Sequence, residues 1–144
     1  MAYHSQSDVE GLLKLTGNTG FTFSSTSRIT STELAVYIAD TDRYIDNRLA
    51  KYYVTPVTDA AAVAILKPVA AQLTAAKCWR ILYAAQQGES NKAKEWEKLS
   101  EGVLSMIISD QMVFGSATKA GSVNSPWSSM ADSTPMWKMN TDQW

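Results

Sequence analysis

The chain has one histidine and one cysteine, and an imidazole beside a thiol would make a nucleophile–base pair. His4 stands near the start of the sequence, where chains commonly fray. Cys78 lies beside Trp79 in an apolar stretch, where a thiol is ordinarily a small packed group. No Cys–His dyad is expected. Asp40, Asp42 and Asp46 are the next candidates, because Asp42 and Asp46 fall one helical turn apart and could hold a metal or move a proton. No flanking glycine makes a calcium loop there, and Arg43 and Arg48 are close enough to neutralise the group, so a solvated helix face is the expectation. GNTG at 17–20 lacks the lysine and the spacing of a phosphate loop. GxSxG, HExxH and CxxC are absent. An enzyme is therefore disfavoured, and no catalytic residue, cofactor or metal site is expected.

The elements around these residues are helical. Ser7-Asp8-Val9-Glu10 fits a capping box, with Leu12, Leu13 and Leu15 giving an apolar side and Gly17 a stop. Residues 16–30 read as a long loop. Phe21 and Phe23 in it have two readings: they fold back onto the core, or they contact a neighbouring subunit. Thr30-Ser31-Thr32-Glu33 is a second capping box. It opens a helix whose stripe is Leu34, Ile38, Thr41, Ile45, Leu49 and Tyr52, with Asp42, Arg43, Asp46, Asn47, Arg48 and Lys51 largely opposite. Pro56 closes that region. Thr58 or Asp59 caps a third, Ala-rich helix running to about Gln87, apolar around much of its circumference. Pro68 either begins its main part or kinks it. A fourth helix starts at Glu89-Ser90-Asn91 and runs to about Phe114, with Trp96, Leu99, Val103, Met106, Ile107, Asp110 and Phe114 on one face. The expected architecture is all-α: a small four-helix domain over 1–114, a long loop after the first helix, and an extended C-terminal tail over 115–144.

Lys plus Arg number 13 and Asp plus Glu 14, a balance poorly suited to unaided binding of nucleic acid or an anionic membrane surface. No apolar run reads as a membrane span, and MAYHSQSDVEGLL does not read as a secretory signal.

The stretch from Glu33 to Pro56, ELAVYIADTDRYIDNRLAKYYVTP, resembles the head–tail connector proteins of tailed bacteriophages, also called adaptor or head-completion proteins. The likeness extends to DVEGLL at Asp8–Leu13, to the Ala-rich run from Leu66 to Tyr83 and to a shorter helix from Lys92 to Ile107. It covers about residues 7–110 and lies in order and pattern. It implies a structural protein of the virion neck, made in the host cytoplasm, with no catalytic site. It also implies a closed ring of copies, usually twelvefold, beneath the portal protein, joined to a further neck or tail-completion protein. DNA would pass through the lumen without specific binding. The loop at 16–30 and the tail depart from the compact family pattern, so contacts do not transfer residue by residue.

The tail sharpens this expectation. Trp127, Trp137 and Trp144, with Met130, Met136 and Met139, stand among Ser, Thr, Asn, Asp and Pro. Such a segment buries too little apolar surface to fold by itself. Each tryptophan is worth roughly 4–6 kcal/mol gross if buried, and Trp and Met are favoured interface anchors. These six residues are the expected portal-docking set, strengthened by multivalency in a ring. The alternative for the tail is that it folds back on its own domain. The alternative for the chain is a small helical nucleic-acid-binding or regulatory module.

Overall fold

The computed structural model describes residues 2–15, 22–83 and 90–120. Four helices follow in order, α1 (Gln6–Leu15), α2 (Ser31–Leu49), α3 (Ala60–Leu82) and α4 (Ser90–Ile108), and the described residues contain no strand, so the fold is all-α as expected. The third helix is the axis. It packs most extensively on α4 and also on α1 and α2, which explains why its sequence is apolar nearly all round. Among the described residues α3 alone is long and apolar enough to cross a membrane, yet half of that stretch is buried inside the bundle. That is the expected character of a central core helix.

Two apolar clusters lie along α3. Ile45, Leu49, Tyr53, Val57, Leu66, Val69, Leu104, Ile107 and Phe114 form one of them, with Tyr3. Val9, Leu13, Phe23, Ile29, Leu34, Ala75, Cys78, Trp79 and Trp96 belong to the other. Within the second, Trp79 meets Trp96 edge-on at 5.7 Å between ring centroids and Tyr83 at 4.3 Å.

Local signals explain most element ends. Thr30 caps α2 with both halves of its capping box made, and Asp59 caps α3 by accepting from Ala62 N. The first cap lies earlier than the sequence implied. Asp8 Oδ2 accepts from Ser5 N at 2.9 Å, so the box-like pair is Ser5/Asp8. Glu10 is released from capping and instead accepts from Phe23 N at 3.0 Å and Gln6 Nε2 at 2.8 Å, tying the incoming loop to α1. Partial burial works to raise the Glu10 carboxyl, but the Phe23 amide, Gln6 and Lys14 together hold it below the ordinary glutamate value.

The two readings of Pro68 resolve into one helix passing through it. Pro68 and Ala64, the residue whose carbonyl loses its donor, are both exposed, so the break in the ladder lies on the outer side of the helix. The expected α4 face is rotated. Ala93, Trp96, Ser100, Leu104 and Ile107 are buried, whereas Leu99 is 52% exposed and Met106 37%. Small residues permit the close approach to α3: Ser100 Oγ donates to Val69 O at 3.3 Å and to Gln72 Oε1 at 3.1 Å. The helix also stops at Ile108, short of Phe114. Asp110 adopts φ 56° and Gln111 N returns to Met106 O at 2.9 Å, turning the chain so that Phe114 packs on Tyr53 at 5.0 Å.

Candidate functional site

The expected docking residues Trp127, Met130, Met136, Trp137, Met139 and Trp144 lie outside the described residues, as does Phe21. Phe23 is described, and its side chain is taken. It is 5% exposed and packed in the second cluster, so its place is the core and not a subunit contact. The loop's backbone is held there by Glu10 and by Gln6, which donates to Phe23 O.

The structure does define the root from which the C-terminal segment departs. Residues 115–120, assigned to the tail on sequence, return to the helical domain. Val54 N donates to Thr118 O and Ala120 N to Tyr52 O, each at 2.8 Å, forming an antiparallel bridge between Tyr53 and Lys119. Asp59 Oδ2 serves two segments, accepting from Ala62 N at 2.9 Å and from Ser116 N at 3.1 Å. One carboxylate therefore caps α3 and pins the root. Gly115 makes this possible, with φ 54° and no side chain against Asp59. Lys119 Nζ closes the bridge on Asp110 at 2.7 Å; that contact holds the Asp110 carboxyl below its ordinary value and the Lys119 ammonium above its own. Around the root, Tyr52, Val54 and Val113 are exposed, Val113 by 85%. The sequence marked Gly115 only as a boundary; the close approach to Asp59 was the missing reason for it.

A second site gathers polar groups in the interior, and two expectations fail there. His4 does not fray: it is buried, and its Nε2 lies 2.9 Å from Thr74 Oγ1. Asp42 is not on a solvated face: it is 7% exposed and accepts from Tyr3 N at 3.4 Å. The reason is the segment before α1. The Tyr3 hydroxyl donates to Asp46 and accepts from Val57 N at 2.9 Å, which seats the ring in the first cluster and draws His4 in behind it. Burial, then the bond to Asp46, push the Tyr3 phenol well above the ordinary tyrosine range, so it stays a donor. Thr74 donates to Thr41 and Thr41 to Tyr37 O, both at 2.9 Å. An open cleft of about 520 Å³ runs alongside, lined by Ala2, His4, Ile38, Asp42, Arg43 and Asp46. Of the presumed neutralising arginines, Arg48 is paired with Glu101 at 2.9 Å, and Asp40 takes Lys77 at 3.3 Å. Thr41 and Thr74 were the legible hints, since a hydroxyl on an apolar stripe needs a partner.

Two outcomes follow from this interior. Thr74→Val, which keeps the shape but leaves the His4 N–H without an acceptor, is expected to destabilise the fold by about 1–3 kcal/mol; Thr74→Ser should recover most of it in chemical denaturation. Burial pushes the Cys78 thiol up from 9.0 to about 12. The sign is that of a group whose charged form the fold disfavours: the stability linked to Cys78 is present below pH 9 and is lost as pH rises from 9.0 towards about 12. Alkylation of the folded protein at pH 8 should therefore track unfolding, slowed by at least roughly a hundredfold relative to denatured chain.

Comparison with family models, with curated proteins and with solved structures finds no match. His4 engages Thr74, not Cys78, in the polar cluster. Among the described residues no three His, Cys, Asp or Glu side chains gather where they could hold a metal ion. The arrangement that remains is a well-tied helical body, an anchored point of departure for the C-terminal segment, and apolar side chains left outside. Val36, Leu99 and Met106 add to those near the root.

Proposed function

We propose that this chain is a structural adaptor of a tailed phage neck. Copies assemble into a ring under the portal, extend the DNA channel and join head to tail. The observation that carries this reading is the pinned root: Asp59 and the Tyr53–Lys119 bridge fix where residues 121–144 begin. Those residues hold Trp127, Trp137 and Trp144 among polar neighbours. A firm root with aromatic anchors beyond it suits a segment that reaches a partner, because a fixed start raises the effective concentration of each anchor. The resemblance of Glu33–Pro56 to head–tail connectors supplies the identity of that partner, the portal. Exposed Leu99 and Met106 on α4, and Val36 on α2, supply apolar surface for unlike contacts between neighbours in a ring.

Electron microscopy of the full chain mixed with portal rings from its source virion tests this reading. The expected result is a second, closed ring coaxial with the portal, its open lumen continuing the portal channel. Particles showing portal alone, with the chain remaining a monomer in sedimentation, would refute it. A salt-sensitive affinity for duplex DNA would point instead to the nucleic-acid-binding module.

A further inference from the structure

We propose that the cleft beside Asp42 and Asp46 seats a lysine ammonium from a second copy of the chain, supplied by Lys94 or Lys98 of the neighbour's α4. The seat rests on the ring reading above, in which each copy meets the next through unlike faces. Its basis is a buried carboxylate without a cation. Asp42 is 7% exposed. Its Oδ1 accepts a long bond of 3.4 Å from Tyr3 N. Among the described residues its Oδ2 has no hydrogen bond, and no lysine or arginine pairs with it. Burying an ionised carboxylate is costly unless a cation and hydrogen bonds offset it. Asp46, one turn on, lines the same cleft, and its carboxylate accepts only from the Tyr3 hydroxyl among the described residues. His4 forms the back wall. It is 5% exposed, and its Nδ1, buried without a hydrogen-bond partner, lies 3.5 Å from Asp42 Oδ1. Thr74 gives its hydroxyl proton to Thr41, so His4 Nε2 donates to Thr74 and Nδ1 is the acceptor of the neutral imidazole.

These acceptors gather at an open cleft of about 520 Å³. Its one cation among the described residues, Arg43, is exposed and pairs with neither carboxylate. The group does not make a three-ligand metal site, whereas an ammonium carries three donors and can serve two carboxylates at once. Spare ammonium groups stand elsewhere on the chain. Lys67, Lys77, Lys92 and Lys119 are held in ion pairs, Lys51 lies over the Tyr52 ring and Lys14 acts on Glu10. Lys94 and Lys98 have no such partner among the described residues and are exposed, one turn apart, on the outer side of α4. The acids around them are taken, Glu95 by Lys92, Glu97 by Arg80 and Glu101 by Arg48. A single copy does not bring the two patches together. Tyr44 and Arg48 turn toward α4, where both meet Glu101, and the helical period puts Asp42 and Asp46 on nearly the opposite side of α2. The contact is therefore heterologous, acidic face to basic face, the kind that closes a ring. Apolar side chains adjoin both faces: exposed Val36 lies one turn before Ala39 of the cleft, and exposed Leu99 follows Lys98.

Carbodiimide coupling, which joins an ammonium to a touching carboxylate without a spacer, tests the seat. The sample is rings assembled on the portal from equal parts of isotope-labelled and unlabelled full chain. The expected product pairs one labelled with one unlabelled peptide and links Lys94 or Lys98 to Asp42 or Asp46. Lys94→Gln with Lys98→Gln, a change at two exposed positions, should abolish that product and leave thermal unfolding of the isolated chain unchanged. The same variant should raise the chain concentration needed for half-complete rings at least about tenfold. Lys94→Arg with Lys98→Arg should keep assembly but lose the product, because a guanidinium is not coupled. Added salt should weaken assembly of the unmodified chain more than that of the Gln variant. Rings whose cross-links join other residues, or a Gln variant that assembles as readily as the unmodified chain, would overturn the seat and leave the adaptor reading standing. Absence of any ring on the portal would overturn both.

Discussion

Trp79→Ala is expected to destabilise the domain by about 3–5 kcal/mol, the range for removing a large aromatic side chain from a packed core. The residue is 5% exposed and stands where α3 meets α4. Its ring bridges Trp96 at 5.7 Å and Tyr83 at 4.3 Å, so truncation removes two aromatic contacts and leaves a void between the helices. Ala75 and Ala93, also buried in this cluster, are too small to fill it. Thermal unfolding should fall on the order of 10–20 °C for a domain of this size. A decrease below about 1 kcal/mol in chemical denaturation would mean that the α3–α4 contact is not the main brace of the bundle.

Gly115→Val is expected to have the second largest effect, and a more local one. A side chain at φ 54° carries a left-handed penalty of about 1–2 kcal/mol, more for a β-branched residue. A Cβ there would stand 2.2 Å from Asp59 Oδ2 and 2.8 Å from Ala62 N, an overlap relieved only by moving the α3 cap or expelling the root. Losing the cap adds about 0.5–2 kcal/mol. Together the expected loss is about 2–4 kcal/mol. Amide exchange should show the mechanism: Val54 and Ala120, which donate across the bridge, should lose protection while the middle of α3 keeps its own. Unchanged protection at both amides would show that the root is not held through Gly115 and Asp59.

These two sites also show what the sequence could and could not convey. The starts of α2 and α3 were legible because their caps are local: Thr30/Glu33 and Asp59 act within four residues of where they stand. The central place of α3 was legible too, from apolar residues all round it. The α4 face was not, because a stripe drawn through the largest side chains passed over Ala93 and Ser100, whose smallness lets two backbones come close. Neither the polar interior nor the anchored root could be read from spacing. Tyr3 lies 43 residues from Asp46 and Ser116 lies 57 from Asp59, and no periodicity links such pairs. His4 illustrates the same limit, since a residue expected to fray is drawn inside by the tyrosine next to it. The docking set was read from composition alone, and Trp127, Trp137 and Trp144 lie beyond the described residues.

The most direct test of the adaptor reading is capture of purified portal protein by the full chain, compared with a variant carrying Trp127→Ala, Trp137→Ala and Trp144→Ala. The account predicts that the unmodified chain retains the portal and that the triple variant, equally stable by thermal unfolding, loses at least about a hundredfold in affinity, equivalent to about 2.7 kcal/mol. Equal capture by both chains, or by neither, would contradict it.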